Sequence, residues 1–383
     1  MRRPGGQVGL GHGLRPTPPD YPGLVWRERS AGSIPARRIL IQSPSVNRAV
    51  ESLGSLPVIV DAHNDLLLEL VLSREEGKFG DLILRTGDER LFDRYWLPRL
   101  VAGGVGIQIC PLYAAEKKYA HPRERVLAQE SEFRRALDEN EDRVCQVRVR
   151  GDLDDARLRL MLSMEGVEAL EGDPAAFEDW WERGVRSASL TWNHENEFAG
   201  GIESPEQGLT DRGRALVRRF AELGVVLDLA HASELTWRDV VDEGIPFSVT
   251  HAGCRAVFDH PRNLADWQLE ALAERGGVLG MMGLRFVVDP DAPTLSRWVD
   301  HVDYAVSVMG IEHVGLGADF VDQVVALGQS PDGKSSLGLE GFTRPDEYPA
   351  LVAALQARGY EAERLEAIMS ENWLRVLRQT LPP

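Results

Sequence analysis

Short apolar runs rich in β-branched residues recur along the chain from Val58 onward, and longer amphipathic stretches separate them. This alternation is typical of repeated β/α units. Eight runs are predicted to be strands, at positions 58–61, 105–110, 158–164, 186–191, 225–230, 247–250, 278–282 and 314–318. Helices are predicted at 122–139, 210–223, 233–243, 266–275 and 295–309, and a closing amphipathic helix at 361–381.

The ends of several predicted helices carry capping residues. Thr210 and Ser233 precede helix formers and suit the N-cap position. Gly224, Gly244 and the Gly276–Gly277 pair suit helix C-termini, where glycine adopts the left-handed conformation. The boundaries between predicted strands and helices are therefore supported by local chemistry as well as by periodicity.

Eight β/α units predict a (β/α)8 barrel, with an open doubly wound sheet as the alternative. The chain has 383 residues, 43% of them hydrophobic, which is enough for a large core. Barrels of this length often form one domain. We therefore expect a single barrel domain whose functional residues lie at the C-terminal ends of the strands.

The first 45 residues differ from the rest in being rich in Gly, Pro and Arg without a hydrophobic period. They also lack the apolar core of a signal peptide. We expect residues 1–45 to be a disordered extension, or to lie upstream of the natural translation start, and residues 46–383 to form the barrel. The string AGSIPAR at 31–37 favours the second hypothesis, because DNA resembling a transfer-RNA T-arm can encode it.

The charge and cysteine content narrow the range of partners and compartments. A net charge of −17 and a pI of about 5.1 argue against nucleic acid and anionic membrane surfaces as partners. The sequence contains no run of eighteen apolar residues, so no membrane span is predicted. The chain has an odd number of cysteines without metal-type spacing, which indicates a reduced, cytoplasmic location. They are Cys110, Cys145 and Cys254.

Potential metal ligands follow the predicted strands. The run VIVDAHNDL ends in His63 and Asp65, which point the same way because side chains alternate along a strand. One histidine at a strand end is more often a core residue than a ligand. Five candidate ligands at the mouth of one barrel instead predict a metal site. They are His63, Asp65, Glu165, His231 and His251.

The number of candidate ligands favours two ions over one. A catalytic zinc typically takes three protein ligands and water, so five residues are too many for a single tetrahedral site. A carboxylate can bridge two ions about 3.5–4 Å apart. Lysine occurs only at positions 78, 117, 118 and 334, so no predicted strand end offers a lysine for carbamylation. Glu165 is therefore the predicted bridge.

Six strings occur in an order that resembles the membrane dipeptidase (renal dipeptidase) family of binuclear zinc peptidases. They are DAHND, SMEG, LTWN, DLAH, THAGCRAVFDHPRN and HVGLGADF, and the likeness extends from about Pro57 to the C-terminus. The resemblance implies that residues 46–383 form a metal-dependent hydrolase barrel with the (β/α)8 fold. It also implies hydrolysis of dipeptides with two Zn²⁺ ions per chain, and a homodimer.

The resemblance also implies roles for individual residues. His63 and Asp65 would bind one zinc ion, His231 and His251 the second, and Glu165 would bridge them. Arg262 would anchor the substrate carboxylate, for which its planar guanidinium is suited. Asp319 would take a proton from the attacking water and pass it to the leaving amine. Asp61 is a candidate partner that orients a metal ligand. We expect structural roles for His260, Asn263, His301 and His313.

The chain departs from the family at one catalytic position. Many members carry a histidine after the Leu-Thr of the fourth strand, where it stabilises the tetrahedral intermediate. Trp192 stands there, and His194 follows two residues later on the same side if the strand continues. We therefore consider His194 a candidate catalytic residue and Trp192 a candidate substrate-binding residue. The loop after Asp319 also differs, reading DFVD rather than DFDG.

Two alternatives to a dipeptidase remain open. One is a related metal-dependent amide or lactam hydrolase with a specialised substrate that bears a carboxylate. The other is a pseudoenzyme that binds metal without turnover, which the retention of Asp319 and all five ligand candidates argues against.

Overall fold

The computed structural model describes residues 58–75, 90–114, 121–321 and 336–383. The predicted N-terminal extension, residues 1–45, lies outside these ranges. Nine parallel strands form one sheet. They are β1 (Ile59–Asp61), β2 (Val105–Tyr113), β3 (Val144–Gln146), β4 (Leu158–Glu165), β5 (Val185–Ser189), β6 (Val226–Asp228), β7 (Val249–Ala252), β8 (Leu279–Met281) and β9 (Val314–Leu316).

The sheet closes into a barrel of eight strands. The strand order is β6-β5-β4-β2-β1-β9-β8-β7, with β3 paired to β4 off this path. A parallel bridge between Asp228 and Ser248 joins the two ends of the order. Two backbone hydrogen bonds accompany it, from Leu229 N to Ser248 O at 3.0 Å and from Ser248 N to Leu227 O at 2.9 Å. The (β/α)8 prediction is confirmed, and the open sheet is wrong.

Helices occupy every predicted helical segment. The described α-helices are α1 (Leu66–Glu75), α2 (Leu97–Ala102), α3 (Pro122–Asp138), α4 (Phe177–Glu182), α5 (Asp211–Leu223), α6 (Glu234–Glu243), α7 (Asp266–Glu274), α8 (Arg285–Val288), α9 (Leu295–Met309), α10 (Tyr348–Ala357), α11 (Ala362–Glu366) and α12 (Asn372–Thr380). Thr210 and Ser233 cap α5 and α6 as predicted, their hydroxyls accepting from Gly213 N and Thr236 N. Gly224 and Gly244 end these helices with positive φ.

One strand is three residues longer than predicted, and one strand was not predicted. Strand β2 continues through Pro111 to Tyr113, although proline cannot donate a ladder hydrogen bond. The strand β1 pairs with β2 only as far as Gln108, so Pro111 lies where β4 is the neighbour of β2 in the sheet. The ninth strand, β3, was not predicted because its three residues are too few to show a period.

The C-terminal helix helps to form the barrel core. A π-helical turn, Ala367–Glu371, joins α11 to α12, so the predicted closing helix runs without a break. Trp373 and Leu377 of α12 belong to a buried cluster that also contains Val60 and Ile107 of the central strands. The indole of Trp373 donates a 3.0 Å hydrogen bond to Leu316 O at the end of β9. This packing supports the strand ends that carry the site.

Candidate metal centre

The ends of β1 and β9 are fastened together by the buried carboxylate of Asp61. Its Oδ1 accepts hydrogen bonds from His63 N at 3.3 Å and from Ala318 N at 3.0 Å. Asp319 N in turn donates to His63 O at 3.0 Å. These contacts place His63 and Asp319 side by side, and they give Asp61 the orienting position predicted for it.

His63 faces three carboxylates. Its Nε2 lies 3.6 Å from Glu165 Oε2 and 3.9 Å from both Asp65 Oδ1 and Asp319 Oδ1. His63 is only 3% exposed, so these charges interact with little screening by water. Burial opposes protonation of His63, yet the surrounding carboxylates raise its pKa to about 10. The excess negative charge suits this group of side chains to hold a cation.

A second group of ligands lies at the other oxygen of Glu165 and adjoins the first, since the ring centroids of His63 and His251 are 3.8 Å apart. Glu165 Oε1 is 3.0 Å from His231 Nε2 and 3.4 Å from His251 Nε2. The two Nε2 atoms are 2.8 Å apart. Burial, with the nearby Arg262 cation, lowers the pKa of His231 to about 3. Burial and the charge on His63 also lower the pKa of His251. Both imidazoles are therefore neutral, which is the form that binds metal.

The two oxygens of Glu165 thus face two different sets of nitrogen and oxygen ligands. Imidazole and carboxylate are the donors that zinc prefers in hydrolytic sites. Among the described residues, His63 Nε2 and Asp65 Oδ1 are buried without a hydrogen bond. Buried polar atoms are rarely left without a partner, and a coordinated ion would satisfy both. The donor set and its unsatisfied atoms therefore fit a metal site.

Two residues of the cluster have a left-handed backbone although neither is glycine. His231 has φ of 64° and Asp319 has φ of 59°. Such conformations cost roughly 1–3 kcal/mol each and are concentrated at functional sites. Both residues directly follow a strand, and the sharp turn directs their side chains towards Glu165 and His63. The backbone strain at these two residues lowers the stability of the fold and holds their side chains in the cluster.

Arg262 contributes the positive charge of the site. The side chain is buried, and its Nη2 lies 3.0 Å from His231 Nε2 and donates to His251 O at 3.2 Å. Burial lowers the pKa of Arg262 to about 10, so it stays charged at neutral pH. A buried guanidinium beside the second group of ligands can bind an anionic part of a small molecule.

The comparison with protein families agrees with this site. The model of the membrane dipeptidase family, peptidase family M19, matches residues 47–381. The chain belongs to this family. The membrane dipeptidase family is one of metallopeptidases, so the chain is a metal-dependent hydrolase of the dipeptidase class. Within the described residues, no helix is both long and apolar enough to cross a membrane.

Curated relatives from bacteria and fungi share part or most of the chain. An uncharacterised protein from the pqqA 5′ region of Klebsiella pneumoniae is 32% identical over 245 residues, covering 59% of this chain and 83% of that protein. Dipeptidase verJ of Clonostachys rogersoniana is 30% identical over 225 residues, and the chain spans about half its length, 55%. Dipeptidase ataJ of Aspergillus terreus is 28% identical, covering 89% of this chain and 88% of ataJ.

Solved structures of the family share the fold. A metallopeptidase of Rhodobacter sphaeroides, bound to a phosphinate mimic of the dipeptide L-Ala-D-Ala, is 25% identical with a TM-score of 0.72. The comparison covers 85% of this chain and all of that one. The probable dipeptidase PvdM of Pseudomonas aeruginosa has a TM-score of 0.73 at 19% identity, covering 88% and 99%, which supports the fold alone.

Within this dipeptidase barrel, the structure brings together seven of the predicted residues. They are His63, Asp65, Glu165, His231, His251, Arg262 and Asp319. Trp192 also reaches the site, with its ring centroid 5.7 Å from that of His231 and 5.4 Å from that of Tyr113. His194 does not join them: its Nε2 lies 3.5 Å from Glu203 Oε2 in a partly exposed pair.

The four residues expected to be structural make mainly backbone contacts. His301 Nδ1 accepts from Cys254 N at 3.0 Å, and His313 Nδ1 lies 2.8 Å from Gly277 O. Asn263 donates to Phe258 O and Val287 O, while His260 Nδ1 accepts from Arg262 N at 3.1 Å. His260 therefore supports the loop that carries Arg262.

Sequence analysis missed the residues that hold the two histidines of the second group. Asn193 Oδ1 lies 2.7 Å from His231 Nδ1, and Thr250 Oγ1 lies 2.9 Å from His251 Nδ1. Thr250 also donates to Asp228 Oδ2 at 2.5 Å. All three residues are within the family strings, but nothing in their spacing shows which side chain faces a histidine. Their polar character at the ends of apolar strands was the available signal.

Proposed function

We propose that the chain is a dipeptidase that uses two metal ions, with zinc as the metal. The observation that supports this most directly is the orientation of Glu165. Its Oε2 faces His63 and its Oε1 faces His231 and His251, as a carboxylate that bridges two ions must. Two sets of ligand atoms share His63 and could each hold an ion: His63, Glu165 and His251 in one, and His63, Asp65 and Asp319 in the other.

The donor groups divide naturally between two ions. His63, Asp65 and Oε2 of Glu165 would hold one ion, and His231, His251 and Oε1 of Glu165 would hold the other. Ions bound there would polarise a peptide carbonyl and lower the pKa of a bound water to about 7. The side chains around them must then bind the substrate and move the proton.

Asp319 is the residue placed to transfer the proton. Its Oδ1 lies 3.9 Å from His63 Nε2, beside the first group of ligands, and its side chain is largely buried. A carboxylate at this point would take a proton from the attacking water and return it to the amine that leaves. Its backbone hydrogen bond to His63 keeps it in register with the cluster.

Arg262 is placed to bind the free carboxylate of a dipeptide. Its guanidinium lies against the second group of ligands, at hydrogen-bonding distance from His231 and from the carbonyl of His251. Bidentate pairing with a carboxylate would fix one end of the substrate and so place its peptide carbonyl. The carboxylate of a dipeptide is one residue from the scissile bond. An arginine in contact with the proposed metal ligands is therefore close enough to bind it.

Trp192 forms a wall of the substrate site together with Tyr113. The two rings meet edge to face at 5.4 Å, and the Trp192 ring also packs beside His231. A large indole at this position favours substrates that offer an apolar surface to it. His194 has no part in this proposal because it pairs with Glu203 instead.

A panel of L-L and L-D dipeptides, incubated with zinc-loaded full-length protein, tests the proposal through amine release. The L-D members are included because the Rhodobacter sphaeroides relative binds a mimic of L-Ala-D-Ala. We expect turnover of several dipeptides, loss of turnover on chelation, and recovery with zinc. Two bound ions without turnover of any dipeptide would contradict the dipeptidase proposal and favour a specialised amide hydrolase.

A further inference from the structure

We propose that Asn193 and Thr250 are positioning residues, each of which fixes the tautomer of one histidine of the second ligand group. Each accepts a hydrogen bond from Nδ1 and so leaves the Nε2 lone pair directed at Glu165. The inference deepens the proposed function and rests on it, since the lone pairs matter only if a metal ion binds there. It assigns a role to two side chains that do not belong to the ligand set.

The protonation of His231 follows from the partners of Asn193. The Asn193 amide donates through Nδ2 to Glu203 Oε1 at 3.0 Å, and a carboxylate oxygen only accepts. The amide orientation is thereby fixed, and Oδ1 is the atom that faces His231 Nδ1 at 2.7 Å. An amide oxygen also only accepts, so Nδ1 must carry the proton. Neutral His231 therefore has its lone pair on Nε2.

The protonation of His251 follows from a different chain of contacts. Asp228 accepts from Ala230 N and Thr250 N through Oδ1, and from the Thr250 hydroxyl through Oδ2. A hydroxyl has one proton to donate, and the 2.5 Å contact to Asp228 uses it. Thr250 Oγ1 can then only accept from His251 Nδ1, 2.9 Å away. Neutral His251 also has its lone pair on Nε2.

The two lone pairs converge on one point. The Nε2 atoms are 2.8 Å apart, and each lies within 3.4 Å of Glu165 Oε1. Three acceptors so close together repel one another unless a donor or a cation lies among them. Arg262 Nη2 donates to His231 Nε2 at 3.0 Å, and with both Nδ1 atoms protonated neither histidine can donate to the other. Asn193 and Thr250 thus keep both Nε2 atoms as acceptors, which is the form that can bind a cation.

The two acceptors have different supports, so each can be removed separately. Asn193 belongs to the loop after β5 and relies on Glu203, while Thr250 lies within β7 and relies on Asp228. Removal of one acceptor should free the Nδ1 atom of one histidine and leave the acceptor of the other histidine in place. The contacts of His63 and Asp65 involve neither residue.

Histidine nitrogen NMR on the full-length, metal-free protein provides the first test. We expect the wild type to show Nδ1–H and unprotonated Nε2 for His231 and His251. Asn193→Ala should change the nitrogen shifts of His231, and Thr250→Val those of His251. Thr250→Ser keeps an acceptor oxygen, as does Asn193→Asp when it is combined with Glu203→Gln, which avoids two facing carboxylates; both should restore the wild-type pattern. Wild-type shifts in both Ala and Val variants would overturn the proposal, because the tautomers would not depend on these side chains.

Zinc titration against a competing chelator provides the second test. We expect the wild type to bind two ions, and Asn193→Ala or Thr250→Val to weaken one of them about 10–100-fold while the other keeps its affinity. The Asp and Ser variants should stay close to wild type. Equal affinity of both ions in all variants would contradict a positioning role. If Thr250→Val does not fold, Asn193→Ala at its partly exposed site decides the question.

These measurements separate the two proposals. A wild-type protein that binds fewer than two zinc ions contradicts the two-metal proposal. The nitrogen shifts of the metal-free protein still decide whether Asn193 and Thr250 set the tautomers.

Discussion

The backbone N–H of Asp319 donates a 3.0 Å hydrogen bond to the carbonyl oxygen of His63. The residue proposed to transfer protons is therefore attached through its main chain to a proposed metal ligand. Its side chain makes no contribution to this bond. The carboxylate of Asp319 can thus be changed while its position is kept.

Asp319→Asn should lower kcat by about 10²–10⁴-fold and leave KM nearly unchanged, because an amide cannot carry the proton. Asparagine tolerates the left-handed backbone that Asp319 adopts, so the melting temperature should stay close to wild type. Steady-state kinetics on a cleaved dipeptide and the zinc content of the variant check this. A fall in zinc content that matches the loss of activity would show that Asp319 acts through metal binding instead.

Arg262→Ala should raise KM for dipeptides about 10–100-fold and change kcat less, because a hydrogen bond between charged groups is lost. Arg255→Ala is the matched control, since Arg255 lies in the same loop and donates to Pro261 O rather than to the cluster. Kinetics on one dipeptide and on its C-terminal amide would show whether the carboxylate is the group bound. An unchanged KM would contradict the anchor.

Trp192→Ala should raise KM about tenfold for dipeptides with large apolar side chains and less for Ala-Ala, because the indole wall is removed. Trp192→Phe keeps an aromatic ring beside Tyr113 and should lose less. Measurement of kcat/KM across the dipeptide panel gives the comparison. A uniform loss for small and large substrates would mean that Trp192 supports the site without contacting the side chain.

Glu69→Gln should change how stability depends on pH, because burial raises the pKa of Glu69 in α1 to about 8. The unfolded chain has an ordinary glutamate pKa of about 4.3. Between these values the folded state holds the proton more tightly, so stability falls as pH rises from about 4.3 through 8, by up to about 1.4 kcal/mol per pH unit. Glutamine has no such proton, so the variant lacks this contribution.

Urea unfolding of the metal-free protein at pH 5.5 and pH 8 measures the effect. The free energy of unfolding should fall less between these pH values in Glu69→Gln than in wild type. Glu363→Gln, an exposed position in α11, is the control and should follow wild type. Equal pH dependence in wild type and Glu69→Gln would show that Glu69 is ionised in the folded state.

Residues that follow a strand could be predicted from sequence because strand ends are marked by local patterns. His63, Glu165 and His231 each follow an apolar run, and parallel strands bring such ends to one face of a barrel. The resemblance carried by the six strings implied how these residues would be divided between two ions, which stays a prediction. Pattern and order together therefore located the cluster before any coordinates were known.

Contacts that depend on side-chain direction could not be predicted in this way. The meeting of Asn193 with His231 requires the loop after β5 to turn back on the end of β6. His194 illustrates the same limit, since continued alternation would have placed it with Trp192, but the strand ends at Ser189. Beyond a strand end the period of two no longer applies, and the loop conformation decides what faces the site.

The closure of the barrel at Asp228 and Ser248 has a mechanical consequence. β6 and β7 meet there through one parallel bridge, and His231 and His251 follow or belong to these two strands. An ion held by both histidines would cross-link β6 and β7 at this point of closure. The amides of β6 and β7 should then exchange hydrogen for deuterium more slowly once zinc is bound. The exchange rates of the other strands should change less. Metal binding would thus also stabilise the closure of the barrel.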